Sequence, residues 1–209
     1  IADEPTTALD VTIQAQVLAL MKELNERLGT ATILITHNLG CASSICDRII
    51  VMYGGKIMEE GTTEEIFYEP HHPYTMGLLN SVPKVTGEAS KERLVPILGT
   101  PPDMLHPPTG CPFYPRCKYA MKVCASMPVP EQYISDTKEE SDMPNNTLLE
   151  VKDLKMYFEN KKGFLGKKIE YVKAVDGVSF KIQKGETIGL VGESGCGKST
   201  TGYSIMRLY

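Results

Sequence analysis

The stretch Gly192-Glu193-Ser194-Gly195-Cys196-Gly197-Lys198-Ser199-Thr200 decides the fold of this 209-residue chain. It matches the pattern GxxxxGK[ST], with the apolar run Thr187–Val191 before it and a helical pattern after it. In such a strand–loop–helix context, glycines let backbone N–H groups turn toward a phosphate, and the helix N-terminus adds positive charge. The sequence therefore predicts a P-loop nucleotide site in an α/β fold, in preference to a plain strand-to-helix glycine turn.

The polar side chains of this loop each have an expected contact with the nucleotide. Lys198 is expected to reach the β- and γ-phosphates, Ser199 to complete the Mg²⁺ shell and Thr200 to contact the α-phosphate region. The glycines allow the rest of the loop to surround the phosphates with backbone N–H groups. The predicted nucleotide-binding residues are Gly192, Glu193, Ser194, Gly195, Cys196, Gly197, Lys198, Ser199 and Thr200.

Two carboxylates follow the first apolar residues of the chain, in Ile1-Ala2-Asp3-Glu4. Open α/β sheets bind ligands at the carboxyl ends of their strands. Asp3 is expected to hold Mg²⁺, directly or through a water, and Glu4 to polarise the attacking water, because phosphoryl transfer needs positioning and charge neutralisation. Taken alone, such a pair is most often surface charge.

His37 directly follows the next apolar run, at 31–36, which has the composition of a strand buried on both faces. A histidine at that strand end can sense a γ-phosphate, and we predict this role for it. The alternative is a satisfied polar residue at a strand end.

Proline divides the chain into three parts, because all but one of the 14 prolines fall between Pro70 and Pro144. The predicted helices cover 11–28 with Asp10 as N-cap and Gly29 as stop, 39–46, 62–68 with a Thr62–Glu65 capping box, 74–81, and a segment from Lys198 onward. The predicted strands cover 1–2, 31–36, 47–53, 56–60, 148–158, 169–175, 178–182 and 187–191, with a strand-like piece at 93–98. The polar segment 131–146 is predicted to be a linker.

Composition excludes several classes of protein. Hydrophobic residues make up 42% and charged residues 23%, as in ordinary globular proteins, and the net charge of −4 argues against a general nucleic-acid binder. No apolar run approaches the roughly 20 residues of a membrane span, and the first residues lack a signal peptide. The chain starts without Met and stops within a helical pattern, so we expect both ends to be cut.

Together these residues resemble the ATP-binding cassette (ABC) ATPases, and more closely the oligopeptide and dipeptide permease branch. The matching segments are Asp3-Glu4-Pro5-Thr6 (Walker B), Ala8-Leu9-Asp10 (D-loop), Thr36-His37 (H-loop), His72-Pro73-Tyr74-Thr75 and Cys111-Pro112-Phe113-Tyr114-Pro115-Arg116-Cys117 (C-terminal extension), and Gly192 to Thr200 (Walker A). The resemblance implies that Glu4 and His37 are catalytic and that Phe158, with Tyr157 as second choice, stacks on adenine.

The order of these segments differs from that of a single cassette, in which the phosphate loop precedes the acidic strand. The LSGGQ signature and the Q-loop glutamine are absent from the sequence. We expect a tandem, with the C-terminal half of one cassette at 1–69, its extension and linker at 70–146, and the N-terminal part of a second cassette at 147–209. In a tandem, Asp3, Glu4 and His37 belong to one nucleotide site, and Lys198 and Ser199 to another. The alternative is a permuted cassette whose C-terminal half docks beside its N-terminal half.

The resemblance also raises the question of a metal site on the extension. Some members of this branch carry a 4Fe–4S cluster there, held by four cysteines, whereas this chain offers Cys111, Cys117 and Cys124. His106 is a conceivable fourth ligand, for a cluster or for structural zinc. The alternative is a set of buried free thiols.

The resemblance implies a mostly parallel sheet flanked by helices, with ATP and Mg²⁺ as cofactors. It implies ATP hydrolysis that drives peptide import at the cytoplasmic face of the membrane. The implied partners are a second ABC ATPase subunit, transmembrane permease subunits and, indirectly, a peptide-binding protein, with no nucleic acid. The alternative function is a non-transport ABC ATPase that acts as a mechanical switch. With parts of each site missing, this chain alone is expected to hydrolyse little.

Overall fold

The computed structural model describes residues 1–82, 95–127, 132, 134, 146–162 and 168–209, and they form the mixed α/β fold that the sequence predicts. Its helices and strands are, in chain order, β1 (Ala2–Asp3), α1 (Val11–Leu28), β2 (Thr32–Thr36), α2 (Leu39–Ile45), β3 (Arg48–Tyr53), β4 (Lys56–Thr62), α3 (Thr63–Tyr68), α4 (Pro73–Asn80), β5 (Thr147–Lys162), β6 (Lys168–Gln183), β7 (Thr187–Val191) and α5 (Lys198–Ile205).

The helix ends follow the capping residues identified in the sequence. The Asp10 side chain accepts hydrogen bonds from the backbone N–H groups of Thr12 and Ile13, each at 3.0 Å, and α1 ends at Gly29 with φ +62°. Thr62 and Glu65 form the reciprocal capping box that begins α3. These local hydrogen bonds satisfy N–H groups that a helix leaves unpaired at its start.

One five-stranded sheet joins the two ends of the chain, in the order β1-β2-β7-β3-β4. Strand β7 lies between β2 and β3 and is parallel to both, while β4 is antiparallel to β3. The C-terminal part therefore docks into the N-terminal part, which is the permuted arrangement. The head-to-tail tandem, which concerns a longer protein, stays a prediction.

Alternate residues of the central strands face opposite layers, as a period of two requires. Ile35, Ile50 and Leu190 pack against the β5–β6 hairpin, whereas Leu34 and Val51 pack against the helices and the extension. All five are at most 1% exposed. The sheet is thus the middle layer, and both faces of its central strands are covered, which explains why β2, β3 and β7 are mainly apolar.

The β5–β6 hairpin differs from its prediction. Strands expected at 169–175 and 178–182 are one continuous strand, β6, which pairs with β5 through several register shifts. Gly177 has φ +84° at the predicted break. Bulges of this kind add a residue and a bend without ending the ladder, and so the predicted gap between two strands is an irregular part of one strand.

The middle of the chain packs on the helical face of the sheet through α4 and two 3₁₀ turns, Tyr114–Arg116 and Lys122–Ala125. The strand-like piece predicted at 93–98 is irregular over 95–98, and its first two residues lie outside the described part. Most of the predicted linker at 131–146 lies outside it as well. Within the ranges that the structure describes, no helix is both long and apolar enough to cross a membrane.

His72 begins α4, and its protonation is expected to destabilise the fold. Its Nδ1 accepts a hydrogen bond from the backbone N–H of Tyr74 at 3.1 Å, and burial lowers the pKa of His72 despite the nearby Glu59 carboxylate. The unfolded chain therefore binds this proton more readily, and the stability that neutral His72 contributes is lost as the pH falls below the ordinary histidine value of about 6.5.

The variant His72→Asn keeps a capping acceptor but does not titrate in this range. Its unfolding free energy, measured by urea denaturation, should fall less steeply between pH 7 and pH 5 than that of the unchanged chain. His72→Ala should lose about 1 kcal/mol even at pH 7.5, because the cap itself is removed. Parallel pH profiles for the unchanged chain and His72→Asn would contradict this account.

Candidate nucleotide site

Three parallel strands bring the predicted site residues to one edge of the sheet. Strand β1 ends at Asp3, β2 ends one residue before His37, and β7 leads into the loop that starts at Gly192. Because the carboxyl ends of parallel strands lie on the same edge, residues from both parts of the chain meet there. The structure thus combines in one place the two groups that the tandem interpretation assigns to different sites.

The phosphate loop has the backbone that its glycines allow. Gly192 and Gly197 have φ values of +148° and +101°. A Cβ at Gly192 would lie 2.2 Å from the carbonyl oxygen of Met52, and one at Gly197 would lie 2.3 Å from that of Ala174. Each distance is well inside van der Waals contact, so both positions require glycine. The backbones of strands β3 and β6 therefore contact the loop closely on two sides.

Lys198 lies inside this turn. Its Nζ donates hydrogen bonds to the carbonyl oxygens of Gly192 at 2.9 Å and Glu193 at 3.0 Å, and the residue is only 6% exposed. The Cys196 thiol lies 3.7 Å from the same nitrogen. The ammonium group is thus held over the loop by backbone carbonyls, in the position from which a bound phosphate would compete for it.

Asp3 and Ser199 lie beside the loop and contact each other. The Ser199 hydroxyl donates a hydrogen bond to Asp3 Oδ1 at 3.0 Å, across 196 positions of sequence. Asp3 also accepts from the hydroxyl of Tyr203, which raises the pKa of that tyrosine. A hydroxyl and a carboxylate are the hard oxygen ligands that Mg²⁺ prefers. The donor set therefore fits the predicted magnesium site, and Thr200 follows it in the first turn of α5.

Glu4 and His37 form a hydrogen-bonded pair next to Asp3. His37 Nδ1 lies 2.8 Å from Glu4 Oε1, and the Thr7 hydroxyl donates to Glu4 Oε2 at 2.7 Å. The hydrogen bond from Thr7 first, and then that from His37, lowers the pKa of Glu4 below its usual value. The carboxylate is thus ionised at neutral pH and can accept a hydrogen bond from a water molecule.

The predicted adenine-stacking residue lies on β5, at the level of the phosphate loop. Phe158 pairs with Val172, two residues before Ala174, whose carbonyl faces Gly197. Its ring packs edge-on against Tyr209, with the centroids 5.2 Å apart. The second choice, Tyr157, is 36% exposed and donates its hydroxyl to Asp176, which helps to raise its pKa to about 12.

The cysteines of the extension do not form a metal site in the described residues, where no three Cys, His, Asp or Glu side chains could hold an ion together. The backbone N–H of Cys111 donates to the carbonyl of Cys124 at 2.8 Å, and burial raises the pKa of the Cys111 thiol, which disfavours the metal-binding thiolate. His106 pairs with Asp103 instead. The structure therefore gives no support to the iron–sulfur or zinc prediction.

Sequence reasoning missed the residues of the extension that contact the phosphate loop. Arg116 forms two hydrogen bonds with the carboxylate of Glu193, and the hydroxyl of Tyr74 accepts from the backbone N–H of Glu193. Arg116 and Tyr74 lie within segments that mark the extension, but no local pattern connects either of them to a loop more than 70 positions away.

Two models of known families match this chain. The model described as the C-terminal region of oligopeptide/dipeptide transporters matches residues 58–124, and the model described as ABC transporter matches residues 175–209. The first match covers the extension, and the second covers the end of β6, β7, the phosphate loop and α5.

Curated relatives of the chain are named as peptide transport proteins. The oligopeptide transport ATP-binding protein OppD of Haemophilus influenzae is 54% identical over 61% of this chain. The dipeptide transport ATP-binding protein DppD of Bacillus subtilis is 56% identical over 59%. The OppD of Mycobacterium bovis is 36% identical over an alignment of 236 residues that covers the whole chain.

The chain spans 39%, 36% and 38% of the lengths of these three relatives, respectively. None of these three relatives is named as a non-transport ATPase. For the ABC family, ATP and Mg²⁺ are the expected ligands of the phosphate loop, and the Asp3–Ser199 pair fits them. The chain is therefore similar, along its whole length, to ATP-binding proteins named for oligopeptide and dipeptide transport.

Proposed function

We propose that this chain binds Mg·ATP and belongs to the ATP-hydrolysing component of a peptide importer. The observation that carries the proposal is the 3.0 Å hydrogen bond between Ser199 and Asp3 beside the buried ammonium of Lys198. This arrangement combines a phosphate-binding cation with two magnesium ligands at the carboxyl edge of a parallel sheet. The names of the relatives support peptide as the transported substrate.

The residues have distinct tasks in the proposed reaction. ATP with Mg²⁺ supplies the transferable phosphoryl group and neutralises its charge. Lys198 and the backbone of the loop bind the phosphates, and Asp3 and Ser199 hold the ion. Glu4 orients the attacking water and polarises it by accepting a hydrogen bond from it. His37 fixes the orientation of the Glu4 carboxylate through the hydrogen bond between them.

We further propose that the natural setting of this sequence is a tandem of two cassettes. The full-length alignment to the Mycobacterium bovis OppD supports it, because the same stretch makes up 38% of that longer protein. In such a tandem, Asp3 and Glu4 would belong to one nucleotide site and Lys198 and Ser199 to another, and a second ABC ATPase unit would complete each site. The single site with the Asp3–Ser199 hydrogen bond concerns the 209-residue chain by itself. Transmembrane permease subunits, and indirectly a peptide-binding protein, would be the further partners, with the ATPase at the cytoplasmic face of the membrane.

Removal of the Ser199 hydroxyl tests the magnesium site. The variant Ser199→Ala should weaken Mg·ATP binding about tenfold, because one metal ligand is lost, while the affinity for ATP in excess EDTA stays the same. Equilibrium titration of the 209-residue chain with a fluorescent ATP analogue measures both values.

Ser204→Ala is the matched control for this substitution, since its hydroxyl donates to the carbonyl of Thr200 within the same helix. It should bind Mg·ATP like the unchanged chain. The absence of saturable Mg·ATP binding by the unchanged chain would refute the proposed function, and equal affinities for Ser199→Ala and Ser204→Ala would refute the magnesium site. Copurification with a membrane permease tests the transport role.

A further inference from the structure

Arg116 contacts the phosphate loop with a fully hydrogen-bonded guanidinium group. All five N–H groups of its guanidinium have acceptors: Leu98 O at 3.0 Å, Ile97 O at 3.1 Å, Tyr53 Oη at 2.9 Å, and the two Glu193 carboxylate oxygens at 2.7 and 3.0 Å. Its side chain is 5% exposed. A guanidinium fixed in this way binds a carboxylate in a single orientation.

Glu193 is therefore held at two points by the extension. Arg116 binds the carboxylate of Glu193. The hydroxyl of Tyr74, a completely buried residue, accepts a hydrogen bond from the backbone N–H of Glu193 at 2.9 Å. The Tyr74 ring in turn packs against Tyr53 and Phe113, with centroids 4.5 and 5.2 Å away. The second residue of the phosphate loop is thus anchored to an aromatic cluster outside the nucleotide site.

The anchored residue also contacts Lys198, whose Nζ donates to the carbonyl of Glu193 at 3.0 Å. A free carboxylate at position 193 would place a negative charge within the segment that surrounds the phosphates, and salt screens that repulsion less in a partly buried site than at the surface. The Arg116 guanidinium removes this charge from the site.

We propose that Arg116 is a positioning residue of the nucleotide site, which neutralises Glu193 and fixes the start of the phosphate loop. Through this contact the C-terminal extension of the transporter family sets the affinity of the loop for ATP. The inference rests on the proposed nucleotide function but concerns the side chains of Arg116 and Glu193, to which the proposed reaction assigns no task.

Four variants of the 209-residue chain test the electrostatic part by Mg·ATP titration. Arg116→Met should weaken binding about tenfold, because the charge of Glu193 is left unpaired. Arg116→Lys should weaken binding about threefold, because lysine keeps the positive charge but cannot donate two parallel hydrogen bonds to the carboxylate. The double variant Arg116→Met with Glu193→Gln should recover to within about threefold of the unchanged chain. Arg48→Met is the control, since Arg48 pairs with Glu60 and Glu186 at the opposite end of β3.

Hydrogen exchange without nucleotide tests the positional part separately. The amides of 192–197 should exchange about tenfold faster in Arg116→Met than in Arg48→Met, because the anchor of the loop is lost. If the unchanged chain does not bind Mg·ATP at all, the proposed function fails, while the exchange rates still decide the role of Arg116. Equal exchange in the two variants, or a double variant that binds as weakly as Arg116→Met, would overturn the inference.

Discussion

Lys198→Ala is expected to lose about a hundredfold in Mg·ATP affinity, equivalent to ~3 kcal/mol, because charge-assisted hydrogen bonds to phosphate are the strongest in this site. The buried position of Nζ over the Gly192 and Glu193 carbonyls leaves the cation desolvated and directed at the loop before any ligand binds. Little reorganisation is then needed when phosphate takes over these hydrogen bonds.

Lys184→Ala is the control for this change, because Lys184 is exposed in the turn that precedes β7 and carries the same charge. It should bind Mg·ATP within about twofold of the unchanged chain, as expected for a distant, screened charge. The thermal midpoint of Lys198→Ala, recorded beside the titration, separates a lost contact from a lost fold. If Lys198→Ala folds and binds Mg·ATP as tightly as the unchanged chain, the proposed nucleotide-binding role of this loop is wrong.

Residues 1–146 without the remainder of the chain are expected not to fold cooperatively. The missing β7 separates β2 from β3 and pairs with both. Its Ile188, Leu190 and Val191 are each 0% exposed, and their burial contributes roughly 2 kcal/mol apiece, a sum comparable with the total stability of about 5–15 kcal/mol of a typical domain. Urea denaturation followed by circular dichroism measures the effect.

Fragment complementation and a matched pair of substitutions control this experiment. Addition of a separate 147–209 fragment should restore a cooperative transition, because the strand pairs without covalent connection. In the intact chain, Leu190→Ala should cost about 3 kcal/mol, whereas Leu208→Ala, at a residue 67% exposed, should cost under about 0.5 kcal/mol. A 1–146 fragment that unfolds at the same urea concentration as the whole chain would contradict the single sheet.

Local signals predicted the elements well, because caps and apolar runs act within a few residues. Asp10, Gly29 and the Thr62–Glu65 box define helix ends through contacts along the nearby chain. The order of the strands could not be predicted from them, since β7 pairs with partners more than 130 positions earlier. The sequence order favoured two separate cassettes, and only the pairing of β7 with β2 and β3 brings both parts into one sheet.

In the candidate site, too, local motifs predicted the roles of residues, but not the contacts between residues that are distant in sequence. The roles expected of Lys198, Ser199 and Asp3 follow from their motifs, but the contact between Ser199 and Asp3 depends on the strand order. Arg116 carried no usable signal, because an arginine near cysteines is as compatible with a surface charge as with a partner for Glu193. The metal prediction for the three cysteines rested on the family resemblance, which carries no information on the distances between these side chains.

The position of β7 also affects how this sheet forms during synthesis. A ribosome that releases the chain from its N-terminus exposes β3 long before β7, and at about 5–20 residues per second the delay is on the order of 10 s. When these 209 residues are synthesised by themselves, the edges of β2 and β3 that later pair with β7 offer unpaired backbone groups to other nascent polypeptides during that interval. Slower translation of this chain is therefore expected to increase its aggregation, and a chaperone that shields unpaired strands is expected to reduce it.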